Sequence, residues 1–101
     1  MPTAVVKFSH DINDRAKLAS RVRIALEELV EDEFLGSDLQ FKEGKNIVYF
    51  NFSIGGFKLS GEILLAEKDV EARLKLPLIG IAMKSIVIEK LEELVPKYLK
   101  D

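Results

Sequence analysis

"IVYFNFSIGGFKLSGEILLA", Ile47 to Ala66, alternates apolar and polar side chains almost without a break. A strand turns successive side chains to opposite faces. Val48, Phe50, Phe52 and Ile54 therefore share one face, while Tyr49, Asn51 and Ser53 share the other. The Gly55–Gly56 pair is the two-residue signal of a tight hairpin. Beyond it Phe57, Leu59, Ile63 and Leu65 continue the apolar side, and Lys58, Ser60 and Glu62 the polar one. One face is built for a core and the other for water, as in an antiparallel sheet covered on a single side.

Working outward, "LQFK" precedes this hairpin across the turn "EGKN", and "VEARLKL" follows it across "EKD", ending at Pro77. Leu39, Phe41, Val70, Ala72, Leu74 and Leu76 extend the apolar face; Glu71, Arg73 and Lys75 extend the polar one. "AVVKFSH" is a further short strand, with Val6, Phe8 and His10 on one face and Val5, Lys7 and Ser9 on the other. Between these strands lies "DINDRAKLASRVRIALEELVEDEFLG". Its Leu18, Val22, Ala25, Leu26 and Leu29 recur at helical spacing, and Ile24 falls on the opposite face. Asn13 is the expected N-cap, Asp14 suits the first turn, and Gly36 stands where a C-terminal cap belongs. A last helix is expected from about Ile79 to Leu99, with Met83, Val87, Leu91, Leu94 and Tyr98 inward and Pro96 kinking it or starting a final turn. The order is β-α-β-β-β-β-α. The expected fold is α+β: a curved antiparallel sheet with two helices on one face, in a single domain over residues 1–101.

The totals agree with that class. At 101 residues, 48% hydrophobic and 32% charged, the chain has the balance of one globular domain. A net charge of −2 lacks the basic excess usual in a nucleic-acid module. With no cysteine there is no disulfide framework and no thiolate chemistry. No apolar run reaches the roughly 18 residues of a membrane span, and "MPTAVVKFSHD" does not read as a secretory signal. A cytoplasmic location is the expectation.

Chemical motifs fail on geometry. "SHD", Ser9 to Asp11, holds the residue types of a hydrolase triad, but neighbours in a strand point to opposite faces and cannot form the relay. "GIAMKS" ends like a phosphate loop, yet Leu78 and Met83 stand where its glycines are required. Glu27, Glu28, Glu31, Asp32 and Glu33 form a charge run without the alternating oxygen ligands and glycine turn of a hard-cation loop. Neither an enzymatic activity nor a metal or cofactor is expected. Gly61 falls on the apolar face between Leu59 and Ile63, where an interior strand glycine marks a bend or a close approach.

A different signal comes from apolar residues on the wrong face. At 100° per residue, Ile79, Ala82 and Ile86 share the side of the last helix that carries Lys90, Glu93 and Lys97. A contiguous exposed apolar patch usually marks a contact. These three residues are the candidate hydrophobic contact, and a homodimer or a hydrophobic surface is the expected partner.

The chain resembles the polyhydroxyalkanoic acid system family over nearly its whole length. The likeness rests on "SHDIND" opening a helix rich in alanine and leucine, on "FKLSGEILLAEKDVEARLKLPL", and on "KSIVIEKLEELVPKYL". Gly61, His10 and the Leu76–Pro77 junction match its pattern. The resemblance implies a small bacterial protein associated with polyhydroxyalkanoate synthesis or granules, with no catalytic residues to carry over. The element order also resembles a reduced helix-grip fold, which implies the alternative of a carrier for a small apolar or acyl ligand.

Overall fold

The computed structural model describes residues 3–33, 36–54, 56–75 and 84–100. Strand β1 spans Thr3–Ser9 and helix α1 Arg15–Glu27, continued by a π-helical segment over Glu28–Glu33. Strands β2 (Ser37–Glu43), β3 (Ile47–Ile54), β4 (Phe57–Leu65) and β5 (Asp69–Lys75) follow, then helix α2 (Lys84–Leu99). The five strands make one sheet in the order β1-β5-β4-β3-β2, with every neighbouring pair antiparallel. β2 to β5 is a meander, and β1 is added at its far edge. The chain must therefore cross the whole sheet between β1 and β2. Four strand spacings come to about 19 Å, and the 13 residues of α1 rise roughly 20 Å. One helix of this length makes the crossing.

The alternation sorts the sheet as its sequence implies. Val48, Phe50, Phe52, Leu59, Ile63, Leu65, Val70, Ala72 and Leu74 are buried, and Leu39, Phe41 and Ile54 pack half-buried at the margin of the same core. The opposite face carries Tyr49, Asn51, Lys58, Ser60, Arg73 and Lys75, all exposed. Helix α1 adds Leu18, Val22, Ala25 and Leu26, and its π-helical continuation adds Leu29 and Val30. Each leucine, isoleucine or valine among them contributes roughly 1.5–3 kcal/mol on burial. The side chain of Phe57, and residues Leu76 and Met83, lie outside the described residues.

Two local expectations are corrected. The N-cap of α1 is Asp14, not Asn13: Asp14 is extended (φ −87°, ψ 115°), and its Oδ1 accepts from the amides of Ala16 at 2.9 Å and Lys17 at 3.3 Å. A carboxylate there satisfies two orphan N–H groups and opposes the positive end of the helix dipole. The helix also changes character after Glu27, where an uninterrupted α-helix to the cap was expected; Gly36 N–H still closes it by donating to the Val30 carbonyl at 2.6 Å.

At Gly61 the close approach is made by the sheet itself. A Cβ there would sit 2.5 Å from the Arg73 carbonyl oxygen and 2.7 Å from Phe50 Cζ. Gly56, in the β3–β4 turn, has φ 85°, the left-handed region that a tight hairpin demands.

Candidate contact surface

Helix α2 presents two unlike faces. Val87, Leu91, Leu94, Val95 and Leu99 are buried, and Ile88 and Tyr98 pack half-buried beside them. Val95 and Leu99 widen the inward stripe beyond the one that the spacing of Val87, Leu91 and Leu94 marks. The helix runs on through Pro96, which lies in its last turn. On the other side Ile86 is 50% exposed, in line with Lys90, Glu93 and Lys97. A 3.6 Å ion pair joins Lys90 to Glu93 one turn on. Of the three predicted contact residues, the structure thus places Ile86 on the outward face; Ile79 and Ala82 lie outside the described residues.

The seam between the helices carries a polar cluster that spacing alone does not reveal. Arg21 of α1 donates from Nη1 to the carbonyls of Tyr98 and Lys100, each at 3.0 Å, and so caps the C-terminal end of α2. Glu28, where α1 gives way to the π-helical segment, lies 3.7 Å from Lys97 Nζ. The Lys97 ammonium also stands 5.3 Å from the centre of the Tyr98 ring. Hydrogen bonding to Glu28, with desolvation and the charge of that carboxylate, holds the Tyr98 hydroxyl above its ordinary pKa of 10.0. Glu28 Oε2 itself is buried with no hydrogen-bond partner among the described residues.

His10 is buried at the sheet margin, and both its ring nitrogens are engaged. The Ile12 amide donates to Nδ1 at 3.1 Å, which leaves the hydrogen on Nε2, where it meets the Ala66 carbonyl at 2.8 Å. The ring ties the end of β1 to the β4–β5 turn and steers the chain toward α1. Ser9 and Asp11 on either side are exposed, so the three side chains do not converge. A depression of about 410 Å³ lies beside them, walled by Pro96, Leu99 and Lys100. A second, of about 620 Å³, lies on the polar sheet face between Asp38, Gln40, Asn51, Ser53, Lys58 and Ser60. Between sheet and helices the space is filled by side chains such as Leu26, Leu29, Ile63, Leu74 and Leu91.

The polar face holds two further exposed apolar side chains, Val5 and Tyr49. They belong to one cross-strand row, in which Val5 pairs with Arg73, Arg73 with Glu62, Glu62 with Tyr49 and Tyr49 with Lys42. Arg73 reaches both Glu71 and Glu62, so the middle of the row is an ion-pair network. Among the described residues no three acidic or histidine side chains converge to hold a metal ion, and no helix is long and apolar enough to cross a membrane. Comparison with known protein families, with characterised proteins and with solved structures found no match.

Proposed function

We propose that this chain works by contact rather than by chemistry on a substrate. It associates with a second copy of itself or with a hydrophobic surface such as a polyhydroxyalkanoate granule, and the outward stripe of α2 takes part in that contact. The observation that carries the reading is Ile86, half exposed on a helix whose opposite face is buried along its length. Solvent-facing helix positions favour polar side chains, and an isoleucine held there leaves half of its surface in water. Lys90, Glu93 and Lys97 continue the stripe and keep it soluble when it is unoccupied. The likeness of "SHDIND" and "KSIVIEKLEELVPKYL" to the polyhydroxyalkanoic acid system family supports a granule as the surface.

The helix-grip likeness supports a carrier less well, because a carrier needs interior room and the space between sheet and helices is occupied by packed aliphatic side chains. Native mass spectrometry of the purified chain separates the two readings. The contact reading predicts a dimer mass, or co-sedimentation with polyhydroxyalkanoate particles, and no retained small molecule. A monomer that carries a small apolar molecule and ignores the particles would favour the carrier.

A further inference from the structure

We propose that the second copy joins at strand β1, edge to edge, so that two five-stranded sheets become one. This rests on the contact reading above and names its partner and its seam.

The two edges of the sheet are unlike. β2 carries Asp38, Lys42 and Glu43 within seven residues, and its pairing with β3 slips between Ser37 and Gln40, where Asp38 has φ 59°. Arg23 of α1 reaches over that edge, 3.0 Å from Glu43 and 5.0 Å from the centre of the Phe41 ring. Charges, an irregularity and a covering side chain are the usual devices that keep an edge from pairing. β1 has none of the first two beyond Lys7: "TAVVKFS" is regular, rich in β-formers and aligned with β5 at every residue. No strand pairs with its outer side among the described residues.

The open side of β1 is also self-complementary. His10 N–H donates to the Lys68 carbonyl at 2.9 Å, in register with the β1–β5 pairs. Hydrogen-bonded and non-bonded pairs alternate along an antiparallel ladder, so Ala4, Val6 and Phe8 also turn their N–H and C=O groups toward β5. Thr3, Val5, Lys7 and Ser9 then turn theirs toward the open side. Two antiparallel copies with Val6 opposite Val6 pair Val5 with Lys7 and Thr3 with Ser9, twice each. Every outward backbone group of the strand finds a partner in this register.

The faces match as well. Ala4 meets Phe8 on the core side, and Val5 meets Lys7 on the polar side. Sliding by two residues one way sets Lys7 against Lys7, a like-charge pair. Sliding two the other way strands Ser9, and sliding by one turns each core face toward water. The twofold keeps both core faces on one side. Helix α2 packs on β1, so both α2 helices flank the seam.

Val6→Cys tests the register directly, because the chain has no cysteine of its own. Non-bonded antiparallel pairs stand about 4.5 Å apart at Cα, within disulfide range. Mild oxidation of dilute protein should give a covalent dimer with Val6→Cys and far less with Val5→Cys. Independently, Val5→Lys should weaken the dimer about tenfold by facing Lys7 of the other copy, and adding Lys7→Glu should restore it. A dimer in which neither cysteine cross-links and neither charge change matters would overturn the β1 seam while leaving the contact reading intact. Preferential cross-linking of Val5→Cys would overturn the register. A parent chain that sediments as a monomer at high concentration would overturn the seam outright, and binding of that monomer to polymer particles would show the surface reading surviving without it.

Discussion

The ring of Phe50 lies across the bare backbone of Gly61, its cross-strand partner in β4. A side chain at position 61 would collide with that ring and with the Arg73 carbonyl of β5 on the other side. Glycine is therefore required in the middle of the sheet, where its entropy cost would otherwise exclude it. Overpacking a filled core typically costs about 1–3 kcal/mol. Gly61→Ala should fall in that range by denaturant unfolding, and Gly61→Val should cost more. Adding Phe50→Leu should recover part of the loss, because one of the two colliding groups is then removed. An unchanged unfolding midpoint for Gly61→Val would contradict this packing.

The sheet was legible from alternation because a half-buried strand leaves a period of two in its sequence. Phe50, Phe52 and Leu59 could be assigned to the core from that alone, and Gly61 announced a close approach without saying to what. Phe50 and Gly61 are eleven residues apart, so their contact depends on the hairpin register rather than on any local pattern. The partly buried Glu28, just past α1, shows the same limit. Helical phase says which way a side chain leaves its own helix, not that Lys97 and Tyr98 of a distant helix will come to meet it. Val5 was legible as facing outward, but its position on an edge strand follows only from the strand order.

Asp14 and Asn13 are neighbours with similar capping propensity, and the geometry chooses between them. Loss of an N-cap side chain typically costs about 1 kcal/mol. Asp14→Ala should be destabilised by that amount in urea, whereas Asn13→Ala should stay within about 0.5 kcal/mol of the parent, as exposed substitutions away from such features do. The opposite ranking would move the start of α1 back by one residue.

The raised pKa of Tyr98 has a signed consequence for alkaline stability. A group that holds its proton more tightly when folded contributes stability below its unfolded pKa and loses it as pH rises through the folded value. Tyr98, raised above 10.0 chiefly by its hydrogen bond to Glu28, therefore leaves stability flat through neutral pH. Above pH 10 its deprotonation sets a phenolate beside that carboxylate and weakens the junction of α1 and α2. Tyr98→Phe should flatten the alkaline limb of the unfolding midpoint against pH, while leaving the acidic limb in place. Superimposable alkaline limbs for the two proteins would contradict the assigned environment.

Ile86 decides the central claim that the chain acts by contact. Its side chain is half exposed on the outward face of α2, clear of the buried stripe that holds the helix to the sheet. Ile86→Glu should leave the circular dichroism spectrum and unfolding midpoint of the parent intact, since surface substitutions of this kind usually change stability by less than about 0.5 kcal/mol. The measurement is sedimentation velocity of Ile86→Glu beside the parent, alone and with polyhydroxyalkanoate particles. The account predicts that the folded variant sediments more slowly than the parent, or stays in solution when the parent is carried down with the particles. A folded variant that self-associates and binds particles as the parent does would contradict it.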